Sequence, residues 1–103
     1  MKINRYITRG ISEQLSLDLQ ILLWHMVEEK DNQPHTDYLR IFKLQEDDNM
    51  LSITHEQEQP SYKLEYHYTN YVKNQNAIHK KVYVIREDDV DVFYYVMLLP
   101  EEY

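Results

Sequence analysis

Leu15-Ser16-Leu17-Asp18-Leu19-Gln20-Ile21-Leu22-Leu23-Trp24-His25-Met26-Val27-Glu28-Glu29-Lys30 is the stretch on which the fold turns. Leu15, Leu19, Leu22, Leu23, Met26 and Val27 recur at intervals of three and four, which puts them on one face of a helix. Leu17, Ile21 and Trp24 form a second stripe beside the first. So wide an apolar surface predicts a helix pressed into a sheet and covered along one flank as well. Ser12 and Ser16 are both suited to cap its start. Asp18 complements the dipole of the first turn, and Asn32 with Pro34 ends the helix.

Beyond Pro34 the apolar period changes from about three and a half to two, the period of a half-buried strand. Tyr38 to Leu44 alternates, Glu46-Asp47-Asp48-Asn49 reads as a turn, and Met50 to Gln57 alternates again with Leu51, Ile53 and His55 on one face. Gln59-Pro60-Ser61 interrupts the pattern. Tyr62 to Tyr68 follows, with Tyr62, Leu64, Tyr66 and Tyr68 on one side. Asn70 to His79 reads as a polar loop, Lys81 to Arg86 as a strand, Glu87-Asp88-Asp89 as a turn and Val92 to Leu99 as the last strand. That strand is apolar on both faces, which suits a central or doubly covered place. Before the helix, residues 1–11 read as an extended arm ending at Gly10, the only glycine, where a turn or a positive φ is expected. Short strands at regular spacing behind a single helix predict an α+β domain. The expected architecture is an N-terminal amphipathic helix packed on a four- to five-stranded antiparallel meander, one domain over residues 1–103.

Composition narrows the function more by exclusion than by assertion. With no cysteine, disulfides, thiol nucleophiles and thiolate metal sites are ruled out. Met1-Lys2-Ile3-Asn4-Arg5-Tyr6 lacks the apolar run of a secretory leader, and no apolar run is long enough to span a membrane. A cytoplasmic protein is therefore expected. The formal charge is −7. Glu87, Asp88, Asp89, Asp91, Glu101 and Glu102 crowd the C-terminal stretch without a base, whereas Lys63, Lys73, Lys80, Lys81 and Arg86 dominate residues 62–86. Net acidity argues against duplex DNA as a partner, because binding phosphates needs a basic footprint.

Several segments, in order, resemble a known family: Arg5-Tyr6-Ile7-Thr8-Arg9-Gly10-Ile11, Leu19-Gln20 with Leu23-Trp24, Asp37-Tyr38-Leu39 with Phe42, His55-Glu56-Gln57-Glu58-Gln59-Pro60 with Tyr62, and Met97-Leu98-Leu99 with Glu101-Glu102-Tyr103. The pattern resembles the DUF960 family of short proteins of unknown function from Gram-positive bacteria, whose members include proteins encoded on staphylococcal mobile chromosome cassettes. The resemblance spans nearly the whole chain. It implies a cytoplasmic protein from a mobile genetic element, a setting in which small acidic proteins bind and inhibit others, some by imitating DNA. It carries over no catalytic residue. The chain departs from the family pattern at Ser16, where proline is expected, and at the more aromatic Val92-Phe93-Tyr94-Tyr95.

No stretch has the spacing of a catalytic or cofactor motif. There is no Gly-rich phosphate loop and no nucleophile elbow, the serines are explained as caps, strand and turn residues, and His25 suits packing on a helix flank better than a base. His55-Glu56-Gln57-Glu58 contains metal-donor types, but on a strand its members alternate between faces and the spacing is not HExxH. It reads instead as a polar strand end leading into the Gln59-Pro60 turn, and the family resemblance implies a hydrogen-bonding corner there. No enzyme activity, no cofactor and no metal site are expected. Ten tyrosines remain to be explained. A tyrosine ring can complete a small core or stand exposed as a binding platform.

The expectation is a small acidic, non-enzymatic protein-binding protein that associates with itself or a partner through its last strand. Phe93, Tyr95 and Met97 would be the anchors, and Asp88 and Asp89 would steer. A DNA-mimic form of this reading needs the acidic tips at Asp47/Asp48 and Asp88/Asp89 to converge. The alternative is a single-strand nucleic-acid binder that stacks bases on Tyr66 and Tyr68 beside Lys80 and Lys81, which requires exposed rings.

Overall fold

A computed structural model describes residues 4–32, 36–47, 50–68 and 79–103, without the side chains of Asp47, His79 and Asp89. The elements are β1 (Asn4–Ile7), α1 (Arg9–Gln14), α2 (Leu17–Asp31), β2 (Leu39–Asp47), β3 (Met50–Gln57), β4 (Tyr62–Tyr68), β5 (His79–Asp89), β6 (Val92–Leu98) and a 3-10 turn at Pro100–Glu102. The α+β expectation holds, but the sheet is not an antiparallel meander of four or five strands. It has six strands in the order β1-β6-β5-β2-β3-β4, and β1 lies parallel to β6. A parallel pair needs a long crossover, and here the intervening chain from α1 to β5 supplies it. Alternation within β2 to β4 reports only the local hairpins, which is why the sequence pattern suggested a meander.

The helices cover one face of the sheet. Leu19, Leu23, Met26 and Val27 of α2 meet Phe42, Leu44, Leu51, Ile53, Val82, Val84, Tyr95 and Met97 in a single core, joined by Ile11, Leu15 and Leu99. In the second stripe, Leu17 and Ile21 stay exposed and Trp24 is half-buried beneath the Arg5 guanidinium, 5.5 Å from the ring centroid. The expected cover along that flank is therefore absent among the described residues. His25 is exposed too, not packed.

The arm before the helix is ordered as β1 and α1. Ser16 caps α2, as one of the two candidates, while Thr8 rather than Ser12 caps α1. Gly10 has no positive φ and lies inside α1. What it lacks is a side chain in the path of another: a Cβ there would lie 2.7 Å from Glu102 Oε1. Glu102 accepts from the Thr8 hydroxyl (2.6 Å), the Gly10 amide (3.1 Å) and the Leu99 amide (2.9 Å). The two ends of the chain are thus tied together by one carboxylate. Those three hydrogen bonds, Thr8 first and then Leu99, hold its pKa below the ordinary carboxylate range.

The turn expected at Glu87-Asp88-Asp89 is instead part of β5, and the reversal falls at Val90-Asp91, where Asp91 takes φ 63°. Aspartate tolerates that left-handed conformation better than most residues. Asn70 to Ile78 of the expected polar loop lie outside the described residues, as do Pro34, Asp48 and Asn49.

Candidate functional site

Strand residues alternate between faces, so the registers fix what each face presents. Opposite the helices, Tyr6, Val96, Ile85 and Leu39 form one row across four strands. Leu98, Tyr83 and Ile41 form the next. Along the strands these rows are bounded at one end by Tyr94 with Glu87 and at the other by Lys81 opposite Lys43. No helix covers this outer face among the described residues. Only the C-terminal turn reaches over it: the Tyr103 ring stands edge-on to Tyr83 (5.8 Å) and its hydroxyl lies 3.4 Å from that of Tyr38. Tyr38, Ile85, Glu87, Leu98, Glu102 and Tyr103 line a shallow hollow of about 310 Å³ there. Tyr6 packs edge-on against Tyr94 at 5.5 Å. Tyr6, Tyr38 and Tyr103 are each more than half exposed.

The anchors expected on the last strand belong to the other face. Tyr95 is 4% exposed and Met97 fully buried, both in the helix-covered core. Phe93 is half-buried at the edge of that core with the Arg86 guanidinium 3.9 Å from its ring centroid, and Arg86 also donates to Asp88 (3.0 Å). Docking through Phe93, Tyr95 and Met97 is therefore closed by the protein's own helix. Both faces of β6 are apolar, and its sequence alone could not say which one α2 would take.

The nucleic-acid platform is also taken apart. Tyr66 and Tyr68 are half-buried against the core, and the Tyr66 hydroxyl donates to Glu29 (3.2 Å). Burial, reinforced by Glu29, pushes the Tyr66 pKa up to about 12. Lys80 sits on the helix side and donates to Gln14 (2.8 Å), whereas Lys81 is outward with its ammonium 5.7 Å from the Tyr83 ring centroid. Two strands, β3 and β2, separate the tyrosines from the lysines, a gap of roughly 14 Å at the usual strand spacing. The acidic tips do not converge either. β2 and β5 are antiparallel neighbours, so the end of β2 at Asp47 and the end of β5 at Asp89 lie at opposite ends of the sheet, roughly 30 Å apart along the eleven-residue β5.

Beneath the sheet lies a buried polar corner. Arg40 of β2 is 1% exposed and pairs with Asp31, the last residue of α2, at 2.5 Å. Tyr95 donates to the same carboxylate, and Arg40 Nε donates to the Asp37 carbonyl (2.9 Å). Burial, then the bond to Asp31, pushes the Tyr95 pKa up to about 12. Gln57 donates to the Pro60 carbonyl (2.7 Å) and accepts from the Asp37 amide (3.1 Å), while the Asp37 carboxylate accepts from Gln59 (3.0 Å). The expected hydrogen-bonding corner is thus present. His55, at its centre, stacks on Phe42 (4.4 Å) and meets Tyr62 edge-on (5.5 Å). Its pKa is lowered to about 4, chiefly by burial and then by Arg40.

A family profile matches residues 4–102. The chain belongs to the DUF960 family, described as staphylococcal protein of unknown function. Segments that carry the family resemblance meet in space in this DUF960 member: Thr8 and Gly10 with Glu102, and Asp37 with Gln57 and Gln59. A crystal structure of a protein of unknown function from Enterococcus faecalis is similar to it, with a TM-score of 0.78 at 18% identity, over 98% of this chain and 91% of that one. At that identity the likeness establishes the fold. No curated protein matches the chain. No helix of the described residues is long and apolar enough to cross a membrane.

The outward rows are what sequence reasoning missed. Tyr83, Ile85, Tyr94 and Val96 all stood in recognised strands. Their assignment to the open face depended on which side α2 covers, and no local pattern records that.

Proposed function

We propose that this DUF960 protein is a non-enzymatic, cytoplasmic protein-binding module that docks its partner on the outer sheet face. The observation carrying this reading is the continuous apolar surface of Tyr6, Val96, Ile85, Leu39, Tyr83 and Ile41, which no helix among the described residues covers. Contiguous exposed apolar patches on small proteins mark interaction sites, and tyrosine is enriched at interface cores. Glu87 at one end of the face and Lys81 at the other favour a partner that presents both charges beside an apolar centre.

The test is affinity capture from nuclease-treated extract with three baits: wild type, the double variant Tyr6→Ser/Tyr94→Ser, and Ile21→Ser on the exposed flank of α2. A protein held stoichiometrically by wild type and Ile21→Ser, and lost from the double variant, is the expected result. Equal retention by all three baits removes the outer face from consideration. Capture that vanishes on nuclease treatment moves the reading to nucleic acid.

A further inference from the structure

The outer face of β5 reads Lys81, Tyr83, Ile85, Glu87: a cation, two apolar residues and an anion at alternate positions. Read in the opposite direction, it is the electrostatic complement of itself. We infer that the occupant of the outer face is a second copy of this chain, stacked sheet on sheet with antiparallel β5 strands. The inference rests on the reading of that face as a docking surface.

A two-fold symmetric contact uses the same patch on both partners, so the patch must be self-complementary. For two stacked sheets the axis lies in the plane between them. An axis parallel to the strands would place Lys81 over the partner's Lys81, with Lys43 of the same row close by, and Glu87 over the partner's Glu87. An axis perpendicular to the strands, passing between the Tyr83 and Ile85 rows, places Lys81 over the partner's Glu87 and Glu87 over the partner's Lys81. The middle rows, with Val96, Ile85 and Leu39 on one side of the axis and Tyr83 and Ile41 on the other, then face each other across the interface, and the exposed Tyr103 ring that packs on Tyr83 above the buried Leu98 forms part of the contact. Electrostatics selects the second arrangement, and aligned sheet packing permits it with the usual offset of about 30°. Elsewhere on the face, Lys43 is already held by Glu56 at 3.0 Å, which leaves Lys81 and Glu87 as the pair that reports on association.

The size of the overlap sets the strength. β3 and β4 are displaced towards the Lys81 end by their registers, so they overhang the partner. Overlap is confined to β1, β6, β5 and β2. Four strands and about seven residues make a footprint of roughly 450 Å² per partner, below the ~800 Å² of a standard interface. The structure therefore points to a weak dimer, filled only at high concentration.

The experiment is analytical ultracentrifugation from about 10 μM to about 0.5 mM, a range suited to a small interface, on wild type, Lys81→Glu, Glu87→Lys and the double reversal. Circular dichroism verifies that each is folded, as expected for substitutions at exposed positions. Each single reversal places like charges over one another twice and raises the dimer dissociation constant about tenfold or more. The double reversal restores it. Within one chain the two positions lie roughly 20 Å apart along β5, so rescue arises only across the interface. Wild type that stays monomeric to the top of the range overturns the inference, as does a dimer indifferent to the single reversals or not rescued by the double. A monomer whose outer-face variant still loses a captured protein overturns only the second copy as occupant. A monomer with face-independent capture overturns the docking surface too.

Discussion

His55 has no exposed surface, and neither ring nitrogen has a hydrogen-bond partner among the described residues. Arg40 and Lys30 both disfavour its protonation, and Asp31 only partly offsets them. Its folded pKa of about 4 lies below the ordinary 6.5, so stability is full above pH 6.5. It falls as the unfolded chain takes up the proton that the folded chain refuses, and the loss levels off below about pH 4. That gap corresponds to about 3 kcal/mol. Urea unfolding of wild type and His55→Leu at pH 7.5 and pH 4 should show a smaller acid loss in the variant by about that amount. Equal losses would show that burial does not depress this histidine. Gly10 makes a second residue-scale case. Alanine is favoured over glycine within a helix by roughly 0.5–1 kcal/mol, yet a Cβ here displaces the Glu102 carboxylate from its three donors. Gly10→Ala should lower the melting temperature of the wild type and raise it in a Glu102→Ala background. A change of the same sign in both would mean that close approach is not why glycine stands there.

At the scale of elements, the end of α2 is fastened to the sheet by charge as well as by packing. Asp31 sits at the helix C-terminus, where the dipole disfavours an anion. Arg40 of β2 and Tyr95 of β6 both reach it from the sheet. Removing one partner of a buried pair strands the other, so Arg40→Leu should cost about 3 kcal/mol in urea unfolding. Arg9→Ala, which breaks the exposed Arg9–Glu13 pair within α1, should stay within about 0.5 kcal/mol. If the two variants matched, the corner would be incidental to how α2 docks. The edge strands are short or polar: β1 has four residues, and Lys63, Glu65 and His67 line the outer side of β4. Charged edges discourage edge-to-edge pairing, so the sheet offers its open face rather than its edges for association.

The whole molecule is two-layered on one side only. Among the described residues the six-stranded sheet carries helices on one face only, and its other face is apolar across four strands and charged at its two ends. The penalty that Lys81→Glu imposes on association through it, read by ultracentrifugation, should therefore shrink as salt rises from about 50 mM to about 500 mM, because screening shortens the reach of Lys81 and Glu87. A penalty that is the same at both salt concentrations would mean that the two charges do not meet across the contact. The wide separation of the acidic turns is a property at this scale as well. It follows from the antiparallel neighbours β2 and β5 and is visible in neither hairpin.

Helix, strand and corner were legible because each rests on interactions between near neighbours. The spacing from Leu15 to Val27 encodes the buried face of α2, the alternation of β2 to β6 encodes strands, and Gln57 with Gln59-Pro60 encodes a hydrogen-bonded reversal. What those patterns leave open is decided by contacts distant in sequence. The pairing of β1 with β6, the reach of Glu102 to Gly10, and the side of the sheet that α2 covers all join segments tens of residues apart. A period of two says that Tyr94 and Tyr95 face opposite ways, but only burial of α2 against the sheet made Tyr95 a core residue and left Tyr94 on the surface.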